Sequence, residues 1–436
     1  MFRLKKGNSR SAVRFVAVCA TLALLIVPLT LTVPVQSETN VSFGISLPTL
    51  ESKIESEIEE VGIPSLHASI VINDTVVWAK GFGDQPSLDT VFKIASISKT
   101  FTGTAYLQLH EQGLIDLDAD VSDYLPFEVR NPNDTNVTIT ARMLLSHRAG
   151  MARDYFFGIT PYDTSLVEIL NVTVFEPWIG PRPPLGEIIN GSNIDDPDLW
   201  LSTSNTTTSY SNSGFFFLSF LLEKITNQSF PDYIEENILT PLGMSSTGPS
   251  FAEFSGRLAI GHGTREDTTA FEFPHYDVHT YGAGAYFSTV MDMSKYLSAH
   301  MNEGSFNGVQ LLEPASIDMM HSDDLGWVTE LYQGHSGMFW GFMAEMWYNE
   351  VDTGRYGILL LINREDGLGR YPSFTLSKLQ IESLLHQQGR AMTSWTNLTT
   401  TTTNGQGLDL ILLGGISGGA AVVVVAAVFI LRRRSG

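Results

Sequence analysis

The sequence predicts an α+β domain over residues 42–390, with a sheet that joins the two ends of that region. Three observations predict it. Strand-like runs follow an opening helix, strand-like runs and an amphipathic helix close the region, and the long middle carries helical periodicity. Of 436 residues, 43% are hydrophobic and 11% aromatic. That supplies enough apolar side chain for a large core and excludes a chain disordered throughout.

The elements follow in order. Leu47, Leu50, Ile54, Ile58 and Val61 recur at spacings of three and four, which makes one apolar helix face, and Gly62 and Pro64 stop it. Residues 66–72 and 76–80 read as strands around the turn Asn73-Asp74. A long helical stretch spans residues 96–112 and ends at Gly113. Further helices fit 140–146, 214–226 and 290–301. Strand-like runs fill 335–340, 343–348 and 356–362, and a terminal amphipathic helix fits 373–386. No repeat recurs at a 20–50-residue spacing.

Charge and hydropathy describe the surroundings of this domain. Lys plus Arg is 26 and Asp plus Glu is 47, a net charge of -21. Five basic residues lie before residue 15 and three more are Arg432, Arg433 and Arg434, which leaves 18 basic against 47 acidic side chains between them. Such a body lacks the basic face that phosphate binding needs, so nucleic acid is excluded as a partner. Residues 1–37 read as a secretory signal: a basic start, an apolar run from Phe15 to Val33 broken by Pro28, and the small-residue cleavage pattern Val35-Gln36-Ser37. An uncleaved anchor of the same length is the alternative.

Residues 410–431 form a 22-residue apolar stretch without a charge, long enough to cross a bilayer as a helix. Arg432 to Arg434 follow at once and hold the short tail, 432–436, on the cytoplasmic side, which leaves the large domain outside. Residues 391–408, with Thr399 to Thr403 in a row, read as a stalk that buries no core. The only cysteine, Cys19, lies inside the signal, so the exported domain has no disulfide and no cysteine–zinc site. Asn40, Asn73, Asn133, Asn136, Asn171, Asn190, Asn205, Asn227 and Asn397 each begin an Asn-x-Ser/Thr acceptor for glycosylation.

Three motifs carry chemistry. Ser96-Ile97-Ser98-Lys99 opens a helical stretch, and residues three apart share a helix face, so the hydroxyl and the amine can meet. A serine needs a base, and a lysine serves once burial brings its pKa down from about 10.4. Tyr210-Ser211-Asn212 follows 114 residues after Ser96: the phenol can relay a proton to a leaving group, and the amide can hold the lysine and a substrate carbonyl. His335-Ser336-Gly337 lies 125 residues further on a strand, where a glycine lets a substrate backbone approach the edge and the Met338 N–H can serve as an oxyanion donor beside the helix N-terminus.

Those three elements in that order resemble the serine β-lactamase and penicillin-binding-protein superfamily, whose Ser-x-x-Lys signature is one of its marks. The Tyr-x-Asn form points to the branch with class C β-lactamases, D-stereospecific peptidases and carboxylesterases. The resemblance covers roughly residues 45–388 and includes Val91-Phe92-Lys93-Ile94-Ala95, Gly113-Leu114-Ile115-Asp116-Leu117-Asp118, Ile139 through His147, Pro241-Leu242-Gly243-Met244, Gly282-Ala283-Gly284 and Gly341-Phe342. It implies an antiparallel sheet flanked by helices, with an inserted helical subdomain. It further implies Ser96 as acylated nucleophile, Lys99 and Tyr210 sharing the acid–base work, Asn212 orienting, and His335 in place of the lysine of the Lys-Thr-Gly version, with Ser336, Gly337 and Met338 toward the substrate and oxyanion. A histidine weakens the fixed positive charge there, which disfavours efficient β-lactam hydrolysis. Arg148-Ala149-Gly150 departs from the family's Thr-Ser-Gly after Ser146-His147.

Other motifs carry no function. Gly415-Ile416-Ser417-Gly418-Gly419 has the letters of a nucleophile elbow but sits in the apolar stretch. Asp116, Asp118 and Asp120 lack the glycine and glutamate of a calcium loop. His275 and His279 lack the glutamate of a metalloprotease helix, and His147 reads as a packed or capping side chain. The expectation is a membrane-anchored, extracellular serine hydrolase that cleaves amide or ester bonds of a small-molecule or peptide acyl substrate, without metal or cofactor. The competing expectation is an inactive surface binding protein on the same fold. The sequence leaves the oligomeric state open.

Overall fold

The computed structural model describes residues 44–154, 158–161, 178–179, 189, 194, 196–201, 204, 207–264, 270–329, 331–365 and 372–400. The expected signal, apolar span and tail lie outside these residues, as do Thr401 to Thr403, Asn40, Asn171, Asn190, Asn205 and the 415–419 motif. No described helix is long and apolar enough to cross a membrane.

Helix α1 (Leu47–Val61) starts where Ser46 accepts a hydrogen bond from the Thr49 N–H, and it ends at Gly62, which takes the left-handed conformation at φ 66°. Strands β1 (Ser65–Ile72) and β2 (Thr75–Gly83) form a hairpin around Asn73 and Asp74. Then come α2 (Ser98–Glu111), α3 (Ala141–Leu145), α4 (Asn212–Thr226), α5 (Tyr281–Gly284), α6 (Val290–Met301) and α7 (Pro314–Ser322). The chain closes with β3 (Val328–Thr329), β4 (Gln333–Phe339), β5 (Phe342–Val351), β6 (Gly354–Ile362) and α8 (Pro372–Thr400).

The six strands make one antiparallel sheet in the order β3-β4-β5-β6-β1-β2. β1 pairs with β6, Ile70 opposite Ile358, so the two ends of the domain meet in the sheet as expected. The Asn363 side chain clamps the pair by accepting from the Ser65 N–H at 2.7 Å. β1 is buried along its whole length because helices cover both faces. Leu66, Ala68, Ile70, Ile358 and Leu360 face α1 and α8, packing with Leu50, Ile54, Ile381 and Leu385. Val71, Leu359 and Leu361 point the other way, into a core shared with Phe101, Phe215 and Leu297 of the helices between β2 and β3. The inserted helical region therefore stands on one face of the sheet, and the turn that carries Ser96 lies between that region and β4.

One boundary moves. The helix expected to close near residue 386 continues to Thr400, and Ala391, Met392 and Thr393 are buried. Thr393 also bonds to Thr353 in the turn between β5 and β6. The first residues of the expected stalk, Ala391 to Thr393, thus belong to the folded domain.

Candidate active site

The Ser96 segment is bent before it is helical. Residues 95–97 form a 3-10 turn, and α2 begins only at Ser98. Ala95 adopts φ 48°, a conformation that costs a non-glycine residue of order 1 kcal/mol. The strain is held by hydrogen bonds: Ile94 N–H to the Tyr286 carbonyl at 3.0 Å, Ser98 Oγ to the Ala95 carbonyl at 2.6 Å, and Tyr286 N–H to Ser98 Oγ at 3.2 Å. Ser96 is the only residue from Val91 to Thr100 that is not buried.

Lys99 is fully buried one turn on. Its Nζ lies 3.2 Å from Ser96 Oγ, 2.7 Å from Asn212 Oδ1 and 2.5 Å from the Ala283 carbonyl. Burial holds the Lys99 pKa well below the usual amine range; the Asp154 carboxylate opposes this and Arg153 reinforces it. A neutral amine has two hydrogens and one lone pair. The two nearer acceptors take the hydrogens, which leaves the lone pair for the Ser96 hydroxyl.

The second stretch arrives at the start of α4. Ser211 caps the helix by accepting from the Gly214 N–H at 2.9 Å. That cap places Tyr210 and Asn212 on either side of it. The Tyr210 hydroxyl donates to Ser96 Oγ at 2.7 Å. Burial pushes the phenol pKa up to about 12, so it is a neutral donor at rest. Asn212 Nδ2 donates to Asp154 Oδ1 at 2.6 Å while its oxygen faces Lys99. His147, as expected, packs and caps: its ring lies 4.5 Å from that of Tyr210, and its Nδ1 accepts from the Ser211 N–H at 3.0 Å.

The third stretch is β4. β3 pairs only with Gln333 and Gly334, so among the described residues His335 to Met338 pair with one strand, β5. Gly337 has a packing reason of its own. A Cβ there would sit 2.2 Å from the Ile94 carbonyl and 3.2 Å from the Ser96 nitrogen. The glycine lets β4 press against the turn that carries Ser96. Ser336 is exposed and Met338 half-buried. His335 is buried, and burial together with nearby Lys99 lowers its pKa to about 3. Its Nδ1 faces the Ser336 carbonyl and must donate to it, which leaves a neutral ring with Nε2 as the acceptor.

Ser96, Lys99, Tyr210 and Asn212 thus converge within hydrogen-bond reach, and the strand bearing His335, Ser336, Gly337 and Met338 abuts them. Two participants carried no sequence signal of their own: the Asp154 carboxylate and the Ala283 carbonyl. Ala283 lies in the Gly282-Ala283-Gly284 block, but a backbone acceptor is invisible in residue identity. Among the described residues no cluster of His, Cys, Asp or Glu is arranged to hold a metal ion.

A serine beside a buried lysine, under a helical insert and at the edge of a six-stranded antiparallel sheet, defines the β-lactamase/transpeptidase-like class. The family model described as beta-lactamase matches residues 50–379, and the chain belongs to that family. Beta-lactamase-like protein 2 of Dictyostelium discoideum is 27% identical over 377 residues, covering 80% of this chain and 61% of that protein. Penicillin-binding protein 4 of Amycolatopsis lactamdurans is 27% identical, covering 62% and 64%. The chain therefore spans less than two thirds of the length of these curated relatives. Among solved structures, the octameric penicillin-binding protein homologue from Pyrococcus abyssi aligns with TM-score 0.60 at 23% identity, over 77% of this chain and 78% of that one. D-amino acid amidase from Ochrobactrum anthropi SV3 aligns with TM-score 0.59 at 18% identity, over 80% and 99%. These likenesses establish the shared fold.

Proposed function

We propose that this chain is a serine acyl hydrolase that works through an acyl-enzyme on Ser96, exported and held outside a membrane by residues 410–431. The observation that carries this reading is the set of contacts on Ser96 Oγ: Lys99 Nζ at 3.2 Å and the Tyr210 hydroxyl at 2.7 Å. Lys99 accepts the serine proton as Oγ attacks the substrate carbonyl. The backbone N–H groups of Ser96 and Met338 receive the developing oxyanion. Tyr210 donates its phenolic proton to the departing amine or alcohol and is reprotonated from Lys99. Water then repeats the sequence on the ester.

The substrates, in order of preference, are D-amino-acid peptides and amides, simple esters, and last β-lactams. The fold shared with a D-amino acid amidase supports the first, and the neutral His335 weighs against the last, since it offers no fixed positive charge to a substrate carboxylate. No observation on the site favours an inactive scaffold, which has no need of a strained turn holding a half-buried serine over a buried amine.

A fluorophosphonate probe and a panel of p-nitrophenyl esters, D-amino-acid anilides and nitrocefin test the reading on the full chain. Wild type is expected to be labelled and to turn over at least one member, and Ser96→Ala to lose labelling and at least ~10³-fold in rate. A folded wild type that is neither labelled nor active would overturn it.

A further inference from the structure

We propose that Asp154 is a positioning residue for this site, its carboxylate fixing the Asn212 amide so that the amide oxygen, and not its NH2 group, faces Lys99. The proposal rests on the reading of Ser96 and Lys99 as the catalytic pair. An asparagine amide has two ends of similar shape and opposite hydrogen-bonding character. Here each end meets an ionisable group: Nδ2 meets Asp154 Oδ1 at 2.6 Å, and Oδ1 meets Lys99 Nζ at 2.7 Å. Turned over, the amide would set its oxygen against a carboxylate and its NH2 against the amine.

The second clash has a chemical consequence. The turned NH2 would donate into the lone pair of neutral Lys99, which is the lone pair that must take the Ser96 proton. Asp154 prevents this. It is itself held: the Asn212 and Ser213 N–H groups both donate to the Arg153 carbonyl, at 2.7 and 3.1 Å, so residues 153–154 are tied to the first turn of α4. The Asp154 side chain is 19% exposed, whereas that of Arg153 is 67% exposed, with its Nε 3.6 Å from Asp154 Oδ2. The other groups around Lys99 are Ser96, Tyr210, the Ala283 carbonyl, His147 and His335. None of these meets the far end of the Asn212 amide.

Two variants separate orientation from charge. Asp154→Asn removes the charge and gives Asn212 a partner that, having an NH2 as well as an oxygen, no longer forces one orientation; Asp154→Ala removes the partner as well. Two readouts are taken on the full chain across pH: the rate of Ser96 phosphonylation by the fluorophosphonate, and the acetylation of Lys99 by trace acetic anhydride, quantified by mass spectrometry. The second reports amine reactivity without requiring any catalysis by Ser96. For Asp154→Ala, both plateaus are expected to fall at least ~10-fold. For Asp154→Asn, both are expected to fall less than in Asp154→Ala, because the new amide still accepts from Asn212 in one of its two orientations, with the acid limb moved down by ~0.5 pH unit, since a carboxylate favours the charged amine and its loss disfavours it.

Asp154→Ala with a wild-type Lys99 plateau overturns the proposal. So does Asp154→Asn falling as far as Asp154→Ala. A wild type inert to the fluorophosphonate, whose Lys99 acetylation still responds to the two variants as described, overturns the hydrolase reading and leaves the positioning role standing.

Discussion

Tyr210 cannot be a resting base. With its pKa pushed up to about 12, the phenol keeps its proton, and the 2.7 Å contact is a donation to Ser96 Oγ. In the proposed mechanism the base is Lys99, whose pKa burial holds well below the usual amine range. The two assignments fix the shape of the pH profile. Activity requires neutral Lys99, so kcat/KM rises with pH through the Lys99 pKa and then levels off. Tyr210 adds no descending limb below about pH 11. Tyr210→Phe removes the donor to the leaving group without disturbing the base. It is expected to lower kcat by about 10²–10⁴-fold, with KM changed less than ~3-fold and the acid limb unmoved. Steady-state kinetics of both proteins from pH 5 to 11 check this; a wild-type descending limb near pH 9 would reassign the acid. Ser96, Lys99, Tyr210 and Asn212 were legible in the sequence because they stand in motifs whose order marks the family, and the structure brings them within hydrogen-bond reach of one another. Asp154 was not: a lone aspartate 58 positions before Asn212 obeys no spacing rule, and only the fold of the intervening chain brings the two together.

At the scale of elements, the site depends on how closely β4 approaches the nucleophile turn. Gly337 makes that approach possible, because its missing Cβ would fall 2.2 Å from the Ile94 carbonyl, which accepts from the Ile97 N–H while the Ile94 N–H donates to the Tyr286 carbonyl. Gly337→Ala must therefore push β4 and the 94–96 turn apart. The expected outcome is a loss of at least ~10²-fold in kcat/KM, since both oxyanion donors are displaced, with destabilisation of about 1–3 kcal/mol from overpacking. Urea denaturation beside kinetics measures the two effects; unchanged kinetics would show that the strand edge takes no part. Most of the sheet was legible, because β1, β5 and β6 carry uninterrupted strand-forming runs and α1 and α6 carry an apolar stripe. The rest was not, for physical reasons. The four residues of α5 are too few to show a period, yet they present the Ala283 carbonyl to Lys99. The bend at Ala95 is imposed by hydrogen bonds from distant segments. The C-terminal helix outruns its composition because the sheet beneath it supplies the missing apolar partner.

The whole molecule stores many neutral groups that would rather be charged in water, and this dictates how its stability varies with pH. His321 and His386 are lowered to about 4 and His335 to about 3; His147 and His300 lie well below the ordinary value; burial is the largest cause in all five. Between those values and about 6.5, the unfolded chain binds protons that the folded chain refuses, so stability rises with pH and is lost as pH falls. Each such histidine contributes about 1.4 kcal/mol per pH unit in that window. Glu382 opposes them: burial, then Glu345, raises it to about 7, so its contribution falls as pH rises from about 4.3 to 7. The lowered histidines outnumber the raised carboxyl groups, so the net stability is expected to fall as pH falls below about 6.5. Two buried lysines extend the trend upward. Lys93, lowered to about 7 by burial among the Tyr276 and Phe287 rings, and Lys99 are neutral in the fold while unfolded lysine stays charged to about 10.4. Above about pH 10 the sign reverses, because Tyr210 and Tyr356, both raised to about 12, hold protons that unfolded tyrosine loses. The maximum is therefore expected near pH 9–10, on the alkaline side of the usual range. Urea midpoints followed by tryptophan fluorescence at pH 5, 6, 7, 8 and 9.5 should climb throughout, most steeply between 5 and 6.5. A midpoint that is flat from pH 5 to 8 would mean that these histidines reach water in the folded chain, and with them the neutral His335 on which the low preference for β-lactams stands.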